Sequence, residues 1–75
     1  MQDNNSLLSR IEIDPQKRGG KPCIKGTRIS VNDILSYLIS GMTIDEILAD
    51  FSHISNEDII ACFAYCLTKL ENNLE

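Results

Sequence analysis

Apolar side chains recur at helical spacing along three stretches of this 75-residue chain. Val31, Ile34, Leu35 and Leu38 fall at i, i+3, i+4 and i+7, and Ile44, Ile47, Leu48 and Phe51 repeat that spacing. Each set lines one side of an amphipathic helix. The third stretch carries two adjoining stripes, Ile59, Cys62, Phe63, Cys66 and Leu70 on one and Ile60, Ala64 and Leu67 on the next. That face is wider than two short neighbouring helices cover. It predicts that Ile60, Phe63, Ala64, Leu67 and Leu70 form an oligomer or partner interface.

Polar residues mark where these helices begin. Ser30 with Asp33, Thr43 with Glu46 and Ser55 with Asp58 each have the spacing of a capping box, although aspartate replaces the usual Glu/Gln in two of them. Gly41 ends the first helix, and Glu57 and Asp58 suit the positive end of the third, which should run to about Leu70. The last two helices, joined by Ser52-His53-Ile54, have the lengths of a helix-turn-helix over residues 43–70.

Upstream the pattern changes. Ile11-Glu12-Ile13 alternates as a short strand does, and Asp14-Pro15 stops it. From Lys21 to Ser30 the chain reads as two short extended pieces around Lys25-Gly26, a β-hairpin able to cover one end of a helical core. The first ten residues carry no consistent period and predict a disordered tail. The expected fold is mainly α: a homeodomain-like three-helix bundle with a helix-turn-helix, plus a short N-terminal β-hairpin element. Residues 11–75 form a single domain, with the β element at 11–30 and the bundle at 31–75. A core this small supplies only about 3–5 kcal/mol, which makes a homodimer the default expectation.

Composition refines this picture without redirecting it. Hydrophobic residues make up 43% and charged ones 24%, values of a globular chain and of no disordered or collagenous one. No apolar run is long enough for a membrane span and the opening residues lack a signal-peptide pattern, so a cytoplasmic protein is expected. Net charge is −4, but it is unevenly placed. Residues 1–30 hold six basic side chains against three acidic ones, whereas residues 31–75 hold Lys69 alone against eight acidic ones. The halves present opposite fields and suit different partners. Cys23, Cys62 and Cys66 lie among apolar residues without the paired spacing of a zinc site, and read as buried thiols. No cofactor, metal or small-molecule substrate is expected.

The run Gly20-Lys21-Pro22-Cys23-Ile24-Lys25-Gly26-Thr27-Arg28-Ile29 resembles the signature of the bacterial family called domain of unknown function 433, a Gly-x-Pro-x-hydrophobic-x-Gly-Thr-Arg-hydrophobic stretch ahead of helices. The segments at 41–51 and 59–65 are similar to that family's remaining blocks, so the resemblance spans about residues 11–66. Ser52 departs from it, standing where the family often has proline before His53. The resemblance implies a homeodomain-like helix-turn-helix with a β extension. It also implies an antitoxin role: binding and neutralising a PIN-like ribonuclease toxin, with the antitoxin's own promoter as a second target.

Nucleic acid is one candidate ligand. The expected reading helix opens Ser55-Asn56-Glu57-Asp58 and has no basic residue before Lys69, so phosphate would repel it. The basic positions are instead Lys17, Arg18, Lys21, Lys25 and Arg28, the candidate nucleic-acid contacts; alternatively they form a solvated edge that discourages sheet aggregation. Arg28 is expected foremost as an internal clamp, pairing with a helix carboxylate and fixing the hairpin on the bundle. Thr27 is expected to satisfy turn amides. Protein partnership is the other reading, favoured by the surplus apolar face. Catalysis is not expected, because the sole histidine, His53, lies in a turn where capping or packing occupies it, and Gly19, Gly20 and Gly26 do not make a phosphate-cradling loop. The reading is therefore an antitoxin-like dimer, with a stand-alone DNA-binding regulator as the alternative.

Overall fold

The computed structural model describes residues 4–73. Helix α1 spans Asn4–Leu8, strand β1 Ile11–Glu12, strand β2 Cys23–Ile24, and helices α2, α3 and α4 span Val31–Ile39, Ile44–Asp50 and Asn56–Asn73. The protein is mainly helical, with one two-stranded antiparallel sheet.

All three capping boxes form. The Ser30 hydroxyl accepts from the Asp33 amide at 2.9 Å while the Asp33 carboxylate accepts from the Ser30 amide at 3.0 Å. Thr43 and Glu46 exchange the same two bonds, as do Ser55 and Asp58. Each box satisfies two amides that a helix start otherwise leaves unpaired. At the other end of α2 the Gly41 amide donates to Leu38 and the Met42 amide to Tyr37. This Schellman closure needs a left-handed residue, and Gly41 supplies it at φ 107°.

The amphipathic spacing puts Ile34 of α2, Ile47 of α3 and Ile59 and Cys62 of α4 at the centre, each with no measurable exposure, and β2 adds Ile24 from above. Tyr37 and Phe51 stack at 5.6 Å between ring centres where α2 meets α3.

Two expectations for the N-terminal third need correction. The tail expected at residues 1–10 is structured from Asn4 onward, residues 1–3 lying outside the described ones: α1 packs on α4, and Leu7 is buried against Ala61 and Ala64. Alanine's small side chain lets the short helix approach closely, and Leu7 gains burial that an isolated five-residue helix could not sustain. The hairpin at 21–30 is reduced to a tight turn, with the Thr27 amide donating to Ile24, and a single bridge of Cys23 to Ser30. The main partner of β2 is β1, in the register Ile11 with Ile24 and Glu12 with Cys23. The register brings Ile11 toward the core beside Ile24.

Candidate functional site

Helix α4 divides its surface three ways. Ile59 and Cys62 face the main core, and Ala61 and Ala64 face α1. What remains is an outer stripe of Ile60, Phe63, Leu67 and Leu70, which are 39, 43, 52 and 59% exposed. Four of the five residues expected at an interface therefore share one open side of one helix. The fifth, Ala64, does not belong with them, because Leu7 covers it within the chain. The spacing of the four is 3, 4 and 3 residues, the a/d alternation of a coiled-coil seam.

Beside the stripe lies an open apolar groove of about 380 Å³ between the start of α2 and the second half of α4. Pro22, Val31 and Leu35 form one wall, Tyr65, Cys66 and Leu70 the other, and Asn32 and Lys69 stand at its polar edge. Lys69 places its ammonium 5.5 Å from the centre of the Tyr65 ring. Leu70 belongs to both stripe and groove, so the two apolar surfaces are continuous. Periodicity gave no signal for the groove, since half its lining comes from residues before and early in α2.

The basic residues do not act together. Lys17 donates to Glu12 at 2.7 Å, and the Gly26 amide joins it on the same carboxylate oxygen at 3.2 Å. Those two bonds hold the Glu12 carboxyl below its ordinary range, with the charges of Lys17 and Lys25 adding to them. Arg18 donates from one guanidinium nitrogen to the Arg28 carbonyl at 2.6 Å and to Asp33 at 3.0 Å. These bonds hold it in a left-handed conformation, φ 52°, that a non-glycine residue seldom adopts.

The internal clamp expected of Arg28 is thus made by Arg18. Arg28 contributes its carbonyl, and its own side chain is exposed without a partner among the described residues. Asp33 caps α2 and receives Arg18 on the same oxygen. Burial pushes its carboxyl up, but the bonds from the Ser30 amide, Arg18 and the Ser30 hydroxyl outweigh that and hold it below the usual range. Arg10 plays the same part on α4, donating to the second oxygen of its capping residue Asp58 at 3.2 Å. Sequence reading passed over Arg10 and Arg18 as clamps, because a pair 48 or 15 residues apart leaves no trace in local spacing.

Three cations remain for a ligand: Lys21, Lys25 and Arg28, all exposed. Since Cys23 bridges Ser30, Lys25 and Arg28 flank the turn at one end, while Lys21 lies at the other beside α2. At about 3.3 Å per residue the two ends stand on the order of 13 Å apart. Thr27 is occupied as expected: its hydroxyl donates to Ile24 and accepts from the Ile29 amide. His53 is exposed and neither caps nor packs, because Ser55 and Asp58 cap each other.

Cys23 and Cys62 are buried and Cys66 is partly so. Burial raises the Cys62 thiol to about 12, with Cys66 and Asp58 adding to the shift, and burial raises Cys66 as well. Such thiols are poor nucleophiles. Among the described residues no three His, Cys, Asp or Glu side chains gather as a metal site, and no helix is long and apolar enough to cross a membrane.

The family profile described as protein of unknown function (DUF433) matches residues 11–66. The chain belongs to the DUF433 family. The crystal structure of a DUF433 member protein from Anabaena variabilis superposes with a TM-score of 0.79 at 31% identity, covering 91% of this chain and 67% of that one. No curated protein matches the sequence. The matched span takes in the arginine-clamped turn, α2, α3 and the first half of α4. It leaves outside α1 and the last part of the stripe, Leu67 and Leu70.

Proposed function

We propose that this DUF433 protein is a cytoplasmic, non-enzymatic binding protein of the antitoxin kind, whose target is a PIN-like ribonuclease. The single observation that carries the reading is the apolar surface left open on α4 after the chain's own core is complete. Stripe and groove together expose large side chains beside buried neighbours, the composition expected of a surface that another protein covers. The surrounding charge supports it. Residues 31–75 are strongly acidic, the complement of a nuclease surface that holds RNA, which would speed association.

The test is a tagged purification of the chain expressed with its native chromosomal neighbours, washed in high salt and read by intact mass. A stoichiometric small nuclease whose RNA cleavage ceases in the complex is the expected result. Recovery of the chain without such a partner would overturn the reading.

A second reading, a stand-alone regulator that binds DNA, is favoured by Lys21, Lys25 and Arg28, which are left free of internal pairs. In it α3 and α4 form a homeodomain-like helix-turn-helix, but the acidic first turn of α4 opposes major-groove entry, so the turn flanked by Lys25 and Arg28 makes the phosphate contacts. Lys21→Gln with Lys25→Gln should then abolish promoter binding, and raising the salt should weaken it steeply. The two substitutions should leave nuclease capture intact.

A further inference from the structure

We propose that the outer stripe of α4 is the seam for a second copy of this chain, paired antiparallel, leaving the adjoining groove to the heterologous partner. The proposal rests on the reading above that α4 is the binding face, and it divides that face between two occupants.

The register points to self-pairing. Ile60, Phe63, Leu67 and Leu70 are spaced 3, 4 and 3 residues apart, a sequence that reads the same in either direction. A two-fold axis crossing the stripe midway between Phe63 and Leu67 therefore sets Ile60 against Leu70 of the second copy and Phe63 against its Leu67, with each a position meeting a d position. A face shaped for an unrelated partner has no need of that symmetry. The large exposed residues of α4 are these four, and the helix is long enough to present all of them on a straight face of about 15 Å.

The area agrees with a weak dimer. The exposed fractions of the four side chains amount to roughly two whole large residues in water, on the order of 400 Å² of apolar surface per copy. A standard stable interface covers about 800 Å² per partner. The stripe supplies about half of that, the scale of a weak, transient contact.

The charges beside the seam give the pairing a signature. On one flank stand Glu57, Ala64 and Glu71, and on the other Ile59 and Cys66. Antiparallel pairing brings Glu57 of one copy near Glu71 of the other, twice, and α4 itself carries no cation on that flank. Screening this repulsion should tighten the dimer, whereas an acidic surface bound to a cationic nuclease loosens with salt.

The test is sedimentation equilibrium of the full chain from about 1 to 500 μM, a range bracketing a micromolar constant. We expect a monomer–dimer equilibrium that tightens a few-fold between about 0.05 and 0.5 M salt. Phe63→Glu and, separately, Leu67→Gln should each weaken it at least tenfold while helical circular dichroism stays unchanged; using two variants guards against one that misfolds. In a Cys66→Ser background, a mixture of Ile60→Cys and Leu70→Cys chains should oxidise to the mixed dimer, with neither alone doing so.

A chain that stays monomeric throughout overturns the proposal, as does a dimer indifferent to both variants or crosslinking of Ile60→Cys to itself. The two readings fail separately. A monomer that still captures the nuclease removes the seam and keeps the binding role, while a dimer with no nuclease partner does the reverse.

Discussion

Replacing Arg18 with alanine tests the assignment that matters most to how the N-terminal layer is fixed on the helices. The guanidinium loses a 3.0 Å ion pair to Asp33 and a 2.6 Å bond to the Arg28 carbonyl. Both side chains of the pair are about 30% exposed, so the pair counts as a partly screened one worth roughly 0.5–1 kcal/mol. The carbonyl bond to a charged donor adds about 1 kcal/mol. We expect Arg18→Ala to cost about 1.5–2 kcal/mol, which for a domain of this size lowers Tm by roughly 6–16 °C. Asp33→Ala should cost about 2 kcal/mol, because the Ser30 amide loses its cap as well. Urea unfolding of both single variants and of the double variant closes a cycle, in which a coupling of about 0.5–1 kcal/mol is expected. Arg28→Ala is the control and should change stability by less than about 0.5 kcal/mol. A larger loss from Arg28→Ala than from Arg18→Ala, or strict additivity of Arg18 and Asp33, would refute the assignment.

Further outcomes follow from the same geometry. Leu7→Ala should destabilise by about 2 kcal/mol, the low end for a buried leucine because a terminal helix can settle into the gap; chemical denaturation measures it, and no change would mean that α1 does not hold α4 in solution. Asp33 and Glu12 are both held below their ordinary ranges, so each favours the folded state fully above about pH 4–5 and loses that contribution as pH falls through the lowered value. Stability should therefore decline between about pH 5 and 2, and Asp33→Asn should flatten the decline. Cys62 works in the opposite direction. Its thiol stays protonated in the fold up to about 12 while the unfolded thiol ionises near 9.0, so stability should fall as pH rises across that interval. At pH 8 a thiol reagent should modify Cys62 only after unfolding, and prompt labelling of the native chain would contradict its burial.

Much of this arrangement was written locally. Three capping boxes, the glycine closing α2 and the apolar spacing placed all three large helices, because each signal lies within four residues of the bond it makes. Strand β1 was legible from Ile11-Glu12-Ile13, but its partner was not, since β2 lies eleven residues beyond it and local text favoured the turn at Lys25-Gly26. Helix α1 had no chance of detection: five residues make less than two turns, too few to show a repeat, and its stability comes from Ala61 and Ala64, more than fifty residues away. The conspicuous Gly26-Thr27-Arg28 drew attention to the wrong arginine for the same reason. Four residues of the outer stripe were named from the width of the apolar face, yet only the covering of Ala64 by Leu7 sharpened that width into a single line.

The use of Asp33 and Asp58 has a consequence for how the molecule opens. Each carboxylate is at once the cap of a helix and the anchor of an arginine from the preceding layer, Arg18 in one case and Arg10 in the other. Lifting that layer would therefore strip both caps of their arginines in the same event and loosen them together. The first-turn amides of α2 and α4, which in most helices fray independently, should then exchange with solvent at one common rate, shared with the Ile24 amide in β2. Glu46 has no such anchor among the described residues, and the start of α3 should exchange ahead of them.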